Sequence, residues 1–86
     1  MPEISRFLGM IITMYYNDHA PPHFHVRYGE QRAKIDLESG ELLDGRLPRR
    51  ALELVREWRV INEQELRQNW QRALAREPLN KIEPLE

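Results

Sequence analysis

Apolar and polar residues alternate along the first half of the chain with the period of two that is typical of β-strands. Residues 10–16 are rich in β-branched and aromatic types and follow Gly9, so this segment is predicted to form a strand. Successive side chains of a strand point to opposite faces, and one side of this strand is wholly apolar or aromatic. We expect that side to face the core; it consists of Met10, Ile12, Met14 and Tyr16.

Two further alternating segments, 23–28 and 31–37, are joined by Gly29 and Glu30. A two-residue Gly-X connection is typical of a type II′ β-hairpin, and the length of the turn fixes how the two strands pair. A slip by one residue would place cations in the core, so the pattern favours a single register. The predicted pairs are Tyr28–Gln31, Val26–Ala33 and Phe24–Ile35 on one face, and Arg27–Arg32, His25–Lys34 and His23–Asp36 on the other.

The second half of the chain changes to helical spacing. Residues 41–44 are a candidate short fourth strand, and Pro48 suits the first position of a helix. Asn62 followed three residues later by Glu65 resembles a helix start, so we expect two helices, or one helix with a kink near Asn62. Pro78 ends the helical part. The predicted apolar helix positions are Ala51, Leu52, Leu54, Val55, Trp58 and Ile61, then Leu66, Trp70, Ala73 and Leu74.

These elements predict a single α+β domain over residues 1–86. A small antiparallel sheet of three to four strands occupies 1–45, a helical part packed on one sheet face occupies 48–76, and 77–86 form an extended tail. Antiparallel sheets often leave their second face to water, and function is expected there. The residues predicted on this open face are Thr13, Tyr15, His23, His25, Arg27, Arg32, Lys34 and Asp36.

Composition narrows the function classes. A chain of 86 residues is expected to make one domain with a small core. The chain has no apolar run long enough to span a membrane, and it has no cysteine, which excludes disulfides, thiolate nucleophiles and cysteine-based zinc sites. The first residues lack the pattern of a secretory signal, so we expect a cytoplasmic protein. The net charge of −1 offers no global reason to bind nucleic acid or membranes.

The three histidines fall within one short run, H-A-P-P-H-F-H. Our leading interpretation is a site for RNA or another phosphate, because histidine titrates near neutral pH and neighbouring cations stabilise a pentavalent phosphate. Arg27 directly opposite Arg32 is unfavourable in a bare hairpin, and an anion between them would relieve that cost. For a metal-independent ribonuclease, the candidate catalytic residues are His23, His25, Asp36 and Tyr15, and the candidate substrate-binding residues are His19, Arg27, Arg32 and Lys34.

Two alternatives stay open. His19, His23 and His25 are suitable nitrogen ligands for zinc, copper or nickel, although nearby cations would repel a dication. The histidines are equally compatible with an ordinary strand surface in a non-enzymatic protein-interaction module. Trp58 and Trp70 are expected to be core or interface anchors. The apolar tail residues are expected to dock on the body or on a partner; they are Leu79, Ile82 and Leu85.

Four stretches carry a family resemblance: P-E-I-S-R-F at 2–7, M-Y-Y-N-D-H-A-P-P-H-F-H at 14–25, L-P-R-R-A-L at 47–52 and K-I-E-P-L at 81–85. The sequence resembles the short bacterial proteins called domain of unknown function 4160. Ile11 departs from this resemblance, since relatives carry a polar residue there. The positions that match the family motif are Asp18, His19, Pro21, Pro22, His23, Phe24 and His25, with Arg49 and Arg50.

The resemblance implies a gene context similar to toxin–antitoxin modules, in which a second small protein is encoded nearby. We therefore expect a cytoplasmic component of such a pair that binds RNA or phosphate through its open sheet face. The expected partners are that second protein and RNA, with no membrane and no cofactor, and a homodimer is left open.

Overall fold

The computed structural model describes residues 2–16 and 18–85, and in these ranges it has five β-strands followed by two α-helices. The strands form one antiparallel sheet in the order β1-β2-β3-β4-β5. The predicted order of a sheet followed by two helices is confirmed, with five strands instead of three to four. The strands are β1 (Glu3–Phe7), β2 (Met10–Thr13), β3 (His23–Tyr28), β4 (Gln31–Asp36) and β5 (Leu42–Gly45), and the helices are α1 (Arg49–Ile61) and α2 (Glu63–Leu74).

The first strand is the element that the sequence pattern did not predict. A β-bulge in β1 places both Ile4 and Ser5 inside, and this breaks the alternation that identifies a strand. The turn to β2 has positive φ at Leu8 (50°) and at Gly9 (82°), which is the requirement of a type I′ hairpin. Leucine is unusual at such a position, so the pair Leu8–Gly9 gives no hairpin signal in the sequence.

The β3–β4 hairpin has the predicted register. Gly29 has a φ of 62°, whereas Glu30 has no positive φ, and this is the pattern of a type II′ turn. All six predicted pairs are formed, from Tyr28–Gln31 at the turn to His23–Asp36 at the open end. The turn chemistry and the alternation therefore suffice to position the cations of both strands on the same side.

The second strand is shorter than predicted. Its pairing with β1 and β3 ends at Thr13, although the Met14 N–H still donates to the Pro2 carbonyl at 3.1 Å. Met14 is buried as expected, but Tyr16 is 43% exposed and was wrongly assigned to the core. The reason is that Tyr16 lies beyond the last paired residues, where no neighbouring strand holds the backbone in a pleat.

The helical part breaks where the sequence predicted, at Asn62. Helix α2 starts directly after Asn62, as expected, but the Asn62 side-chain amide donates to the Trp58 carbonyl at 3.0 Å and does not cap α2. Helix α1 starts at Arg49, and Pro48 precedes it by one residue. Ile61 is 64% exposed and does not belong to the apolar stripe, because the helix ends there and the stripe resumes only in α2.

The core lies between the sheet and the helices, and the C-terminal tail (residues 77–85) packs against it. Trp58 is fully buried, with its ring centroid 5.5 Å from Phe7 and 5.8 Å from Phe24. Its indole N–H donates to the tail carbonyl of Glu83 at 2.8 Å. Ile82 is buried and its backbone N–H donates to β1 at 2.7 Å, so the tail docks on the body. In the described part of the chain, neither helix is long and apolar enough to cross a membrane.

Candidate functional site

A pocket lies on the face of the sheet opposite the helices, and we call this pocket the groove. Two rows of side chains run across the strands. One row crosses all five strands from Glu3 to Asp44, and the other crosses four strands from Arg6 to Arg32. The groove has a volume of about 600 Å³. Its lining includes Glu3, Thr13, His25, Lys34 and Asp44 from the first row, Arg6, Ile11, Arg27 and Arg32 from the second, and Tyr15.

Within the described part of the chain, three cations of the groove form no ion pair. Arg6 forms an ion pair with Glu3 at 2.8 Å. In contrast, no carboxylate of residues 2–16 and 18–85 lies within 4.0 Å of the charged groups of Arg27, Arg32 or Lys34. Arg27 and Arg32 are exposed and directly opposite one another in the register. Like charges in this position repel, so the groove is a suitable place for an anion.

His25 is the imidazole that lines the groove. Its ring contacts the Tyr15 ring edge-on, with centroids 4.5 Å apart. Burial lowers the pKa of His25 the most; the Asp18 carboxylate opposes this, while the charges of His23 and Lys34 lower the pKa further. The net result is a pKa below the ordinary value of histidine, so His25 is mainly neutral at pH 7.

Asp18, His23 and His25 form a second feature, which we call the histidine–aspartate cluster. The Asp18 Oδ2 atom lies 2.9 Å from His23 Nε2 and 3.4 Å from His25 Nε2. One ligand-type atom from each of the three residues lies within 4.8 Å of the others. Because His25 belongs to both features, the cluster adjoins one end of the groove.

Hydrogen bonds hold the Asp18 carboxylate in its ionised form. Burial by itself raises the pKa of Asp18, but the His19 backbone N–H, the His25 ring and the His23 ring together lower it below its ordinary value. The His19 N–H donates to Oδ1 at 2.9 Å, and His19 Nδ1 lies 3.1 Å from the same oxygen. Oδ1 is thereby occupied, and Oδ2 faces the other two imidazoles.

The structure corrects the expected position of His23. This residue was expected on the open face in contact with Asp36, but it is 1% exposed and its ring lies 5.4 Å from that of Trp70. Its Nδ1 donates to the Pro21 carbonyl at 2.6 Å. Asp36 accepts backbone N–H groups from the following turn, so the two residues pair in the strand register but their side chains do not form the expected contact. The loop before β3 supplies Asp18 to His23 instead.

The predicted site residues thus separate into two groups. Tyr15, His25, Arg27, Arg32 and Lys34 meet in the groove, whereas His19, His23 and Asp36 do not line it. Asp18 matches the family motif and begins the D-H-x-P-P-H-F-H run, but it was not among the predicted catalytic, substrate-binding or metal-ligating residues. Three charged residues of the groove were also not predicted, because β1 was not predicted and β5 had no assigned chemistry; they are Glu3, Arg6 and Asp44.

Comparison with known proteins identifies one family. Neither the curated proteins nor the solved structures include a match to this chain. The family described as "Domain of unknown function (DUF4160)" matches residues 9–71. This range contains the histidine–aspartate cluster and strands β2 to β5, but not β1 or the tail. The match covers most of the chain and confirms the resemblance expected from the sequence motifs, so the protein belongs to the DUF4160 family.

Proposed function

We propose that this protein binds the phosphate backbone of single-stranded RNA in the groove. The observation that carries the proposal is the set of three neighbouring cations without a carboxylate partner in the described chain: Arg27, Arg32 and Lys34. Arginine presents several donors in a planar fork that matches phosphate oxygens, and lysine adds a point charge. A bound phosphate also removes the repulsion between the two arginines.

The spacing of these cations suits an extended polyanion. Alternate residues of a strand are about 6.7 Å apart, so the row with Arg27 and Arg32 and the row with Lys34 can contact successive phosphates. The neutral ring of His25 and the adjacent Tyr15 ring supply aromatic surface at the same end of the groove. Proteins that bind single-stranded RNA commonly combine a cationic groove with aromatic side chains in this way.

Cleavage of the RNA stays a prediction. Metal-independent cleavage requires an acid and a base beside the reacting phosphate. Of the predicted pair, His25 lines the groove, but His23 is buried and both its ring nitrogens face protein acceptors. Binding therefore has stronger support than catalysis. Incubation of labelled RNA with wild type and His25→Gln in EDTA checks the prediction, with cleavage only by wild type as the result that supports it.

The binding test compares two variants of equal charge. Arg32→Gln removes a groove cation, and Arg76→Gln removes an exposed cation that follows α2 and does not line the groove. Fluorescence anisotropy with labelled single-stranded RNA is measured over a range of salt concentrations. We expect Arg32→Gln to lower the slope of log K against log salt by about 0.7, the value for one lost contact with a single strand. Equal effects of the two variants would contradict the proposal.

The family resemblance supports a further part of this proposal, in which the chain is a cytoplasmic component of a toxin–antitoxin-like pair. Its partner would be a second small protein encoded nearby. Co-purification of the two products, followed by growth tests with each expressed alone, examines this part. Failure to co-purify together with no growth effect of either protein would contradict it, and would leave the RNA-binding test unaffected.

A further inference from the structure

The histidine–aspartate cluster brings three potential ligand atoms within 4.8 Å of one another. Asp18 Oδ2 lies 2.9 Å from His23 Nε2 and 3.4 Å from His25 Nε2. Donor atoms around a tetrahedral zinc ion with bonds of about 2.1 Å are separated by about 3.4 Å. The separation of Asp18 from His25 already has this value. We infer that Asp18, His23 and His25 bind a divalent transition-metal ion of the zinc and cobalt class.

The hydrogen bonds of His23 support this inference independently of the distances. The Pro21 carbonyl can only accept, so the 2.6 Å contact places a proton on His23 Nδ1. In the neutral ring, Nε2 then carries a lone pair, and this lone pair faces the carboxylate of Asp18. Two electron-pair acceptors at 2.9 Å require either a proton or a metal ion between them.

The surroundings of the cluster are those of a metal ligand set. Histidine ligands commonly donate their second ring N–H to a backbone carbonyl, as His23 does to Pro21. The Asp18 Oδ1 atom is held by His19, which orients Oδ2 as a single-atom ligand. Trp70 packs against the His23 ring and fixes its position. These contacts orient the donors before any ion arrives, which reduces the entropy lost on binding.

The composition of the donor set selects the class of metal. Two imidazoles and one carboxylate suit zinc, cobalt and related ions, whereas calcium and magnesium prefer oxygen ligands throughout. Copper in its reduced state favours sulfur ligands, which this cluster lacks. The side chains of Asp18 and His25 are 16% and 27% exposed, so one side of the cluster is open and leaves coordination positions for water or an anion. His19, a ligand in the sequence-based alternative, here contacts Asp18 instead.

The experiment uses the untagged, EDTA-treated full chain, so that its three histidines are the only ones present. Cobalt(II) is titrated with absorption detection, and zinc(II) is titrated by calorimetry. We expect one equivalent to bind with a Kd below about 1 mM, and zinc to raise the thermal unfolding midpoint. Absence of saturable 1:1 binding in the folded protein would overturn the inference, since a shared proton between His23 and Asp18 would then account for their contact.

Variants locate the ion. Asp18→Asn and His25→Gln should weaken binding by more than about 100-fold, whereas Arg76→Gln, which changes no ligand and no contact of a ligand, should bind as wild type does. Circular dichroism verifies that each variant is folded. His25 is half-buried, so its variant keeps the test valid if Asp18→Asn unfolds. Equal losses in all three variants, or none, would overturn the inference.

Two further readouts separate this inference from the proposed function. Long-range ¹H–¹⁵N spectra of the imidazoles should show that zinc shifts the Nε2 resonance of His23 while Nδ1 keeps its proton. Arg32→Gln should bind cobalt as wild type does, because Arg32 is not among the ligands. If wild type binds RNA but no metal ion, only the metal site is overturned. If wild type binds a metal ion but no RNA, only the proposed RNA binding is overturned.

Discussion

The pairing of Arg27 with Arg32 predicts that one substitution changes stability and binding in opposite directions. Both side chains are exposed, and they are directly opposite in the β3–β4 register. Like charges in that position destabilise by roughly 0.2–1 kcal/mol. Arg32→Gln removes the repulsion, so the variant without ligand should be more stable than wild type by about 0.5 kcal/mol, or about 2–4 °C in a domain of this size.

Bound RNA should reverse the order of stability of wild type and Arg32→Gln. A ligand at ten times its Kd stabilises the folded state by about 1.4 kcal/mol, which exceeds the repulsion that Arg32→Gln relieves. The variant binds RNA more weakly and gains less from the same concentration. We therefore expect wild type to become the more stable protein once RNA is present. Substitution of a residue with only a structural role would change the stability in the same direction with and without RNA.

Thermal unfolding followed by circular dichroism, in low salt and with or without RNA, measures both effects. Arg76→Gln controls for net charge, and about 1 M salt, where the Debye length is about 3 Å, should abolish the difference seen without ligand. The double variant Arg27→Gln/Arg32→Gln should be no more stable than either single variant, because the first substitution already removes the repulsion. A destabilised Arg32→Gln without RNA, or equal stabilisation of both proteins by RNA, would contradict this prediction.

Three other predictions concern the stability of the fold around the site, and urea unfolding measures the free energy of unfolding in each case. Gly45→Ala should cost at least about 2 kcal/mol more than Gly29→Ala. Both glycines have positive φ, but a methyl group on Gly45 would overlap the Arg32 carbonyl, whereas no atom of the described residues would lie within 4 Å of a methyl group on Gly29. Equal costs of the two substitutions would contradict this. Leu8→Asn should stabilise by about 0.5–1 kcal/mol, since asparagine tolerates the left-handed conformation of this exposed turn position; a destabilised variant would count against the type I′ turn. Trp58→Phe should cost about 2–3 kcal/mol through lost volume and a lost hydrogen bond to the tail, and a cost under about 1 kcal/mol would show that the tail is not firmly docked.

The hairpin shows how far the sequence alone determines this protein. Strict alternation on both sides of Gly29 and Glu30 leaves one register that keeps cations out of the core, and the structure has that register. The grouping of Arg27, Arg32 and Lys34 follows from it without tertiary information. The break at Asn62 and the burial of Trp58 follow in the same way from helical spacing. These features depend on neighbours close in sequence.

Tertiary structure decided the remainder, because burial and pairing depend on elements that are distant along the chain. His23 belongs by alternation to the open face, yet Trp70 from α2 packs against it and Asp18 bonds its ring. β1 escapes prediction because its bulge breaks the alternation, and it is defined by its pairing with β2. A local pattern specifies which way a side chain points from its strand, but only the packing of the folded chain determines what covers that side chain.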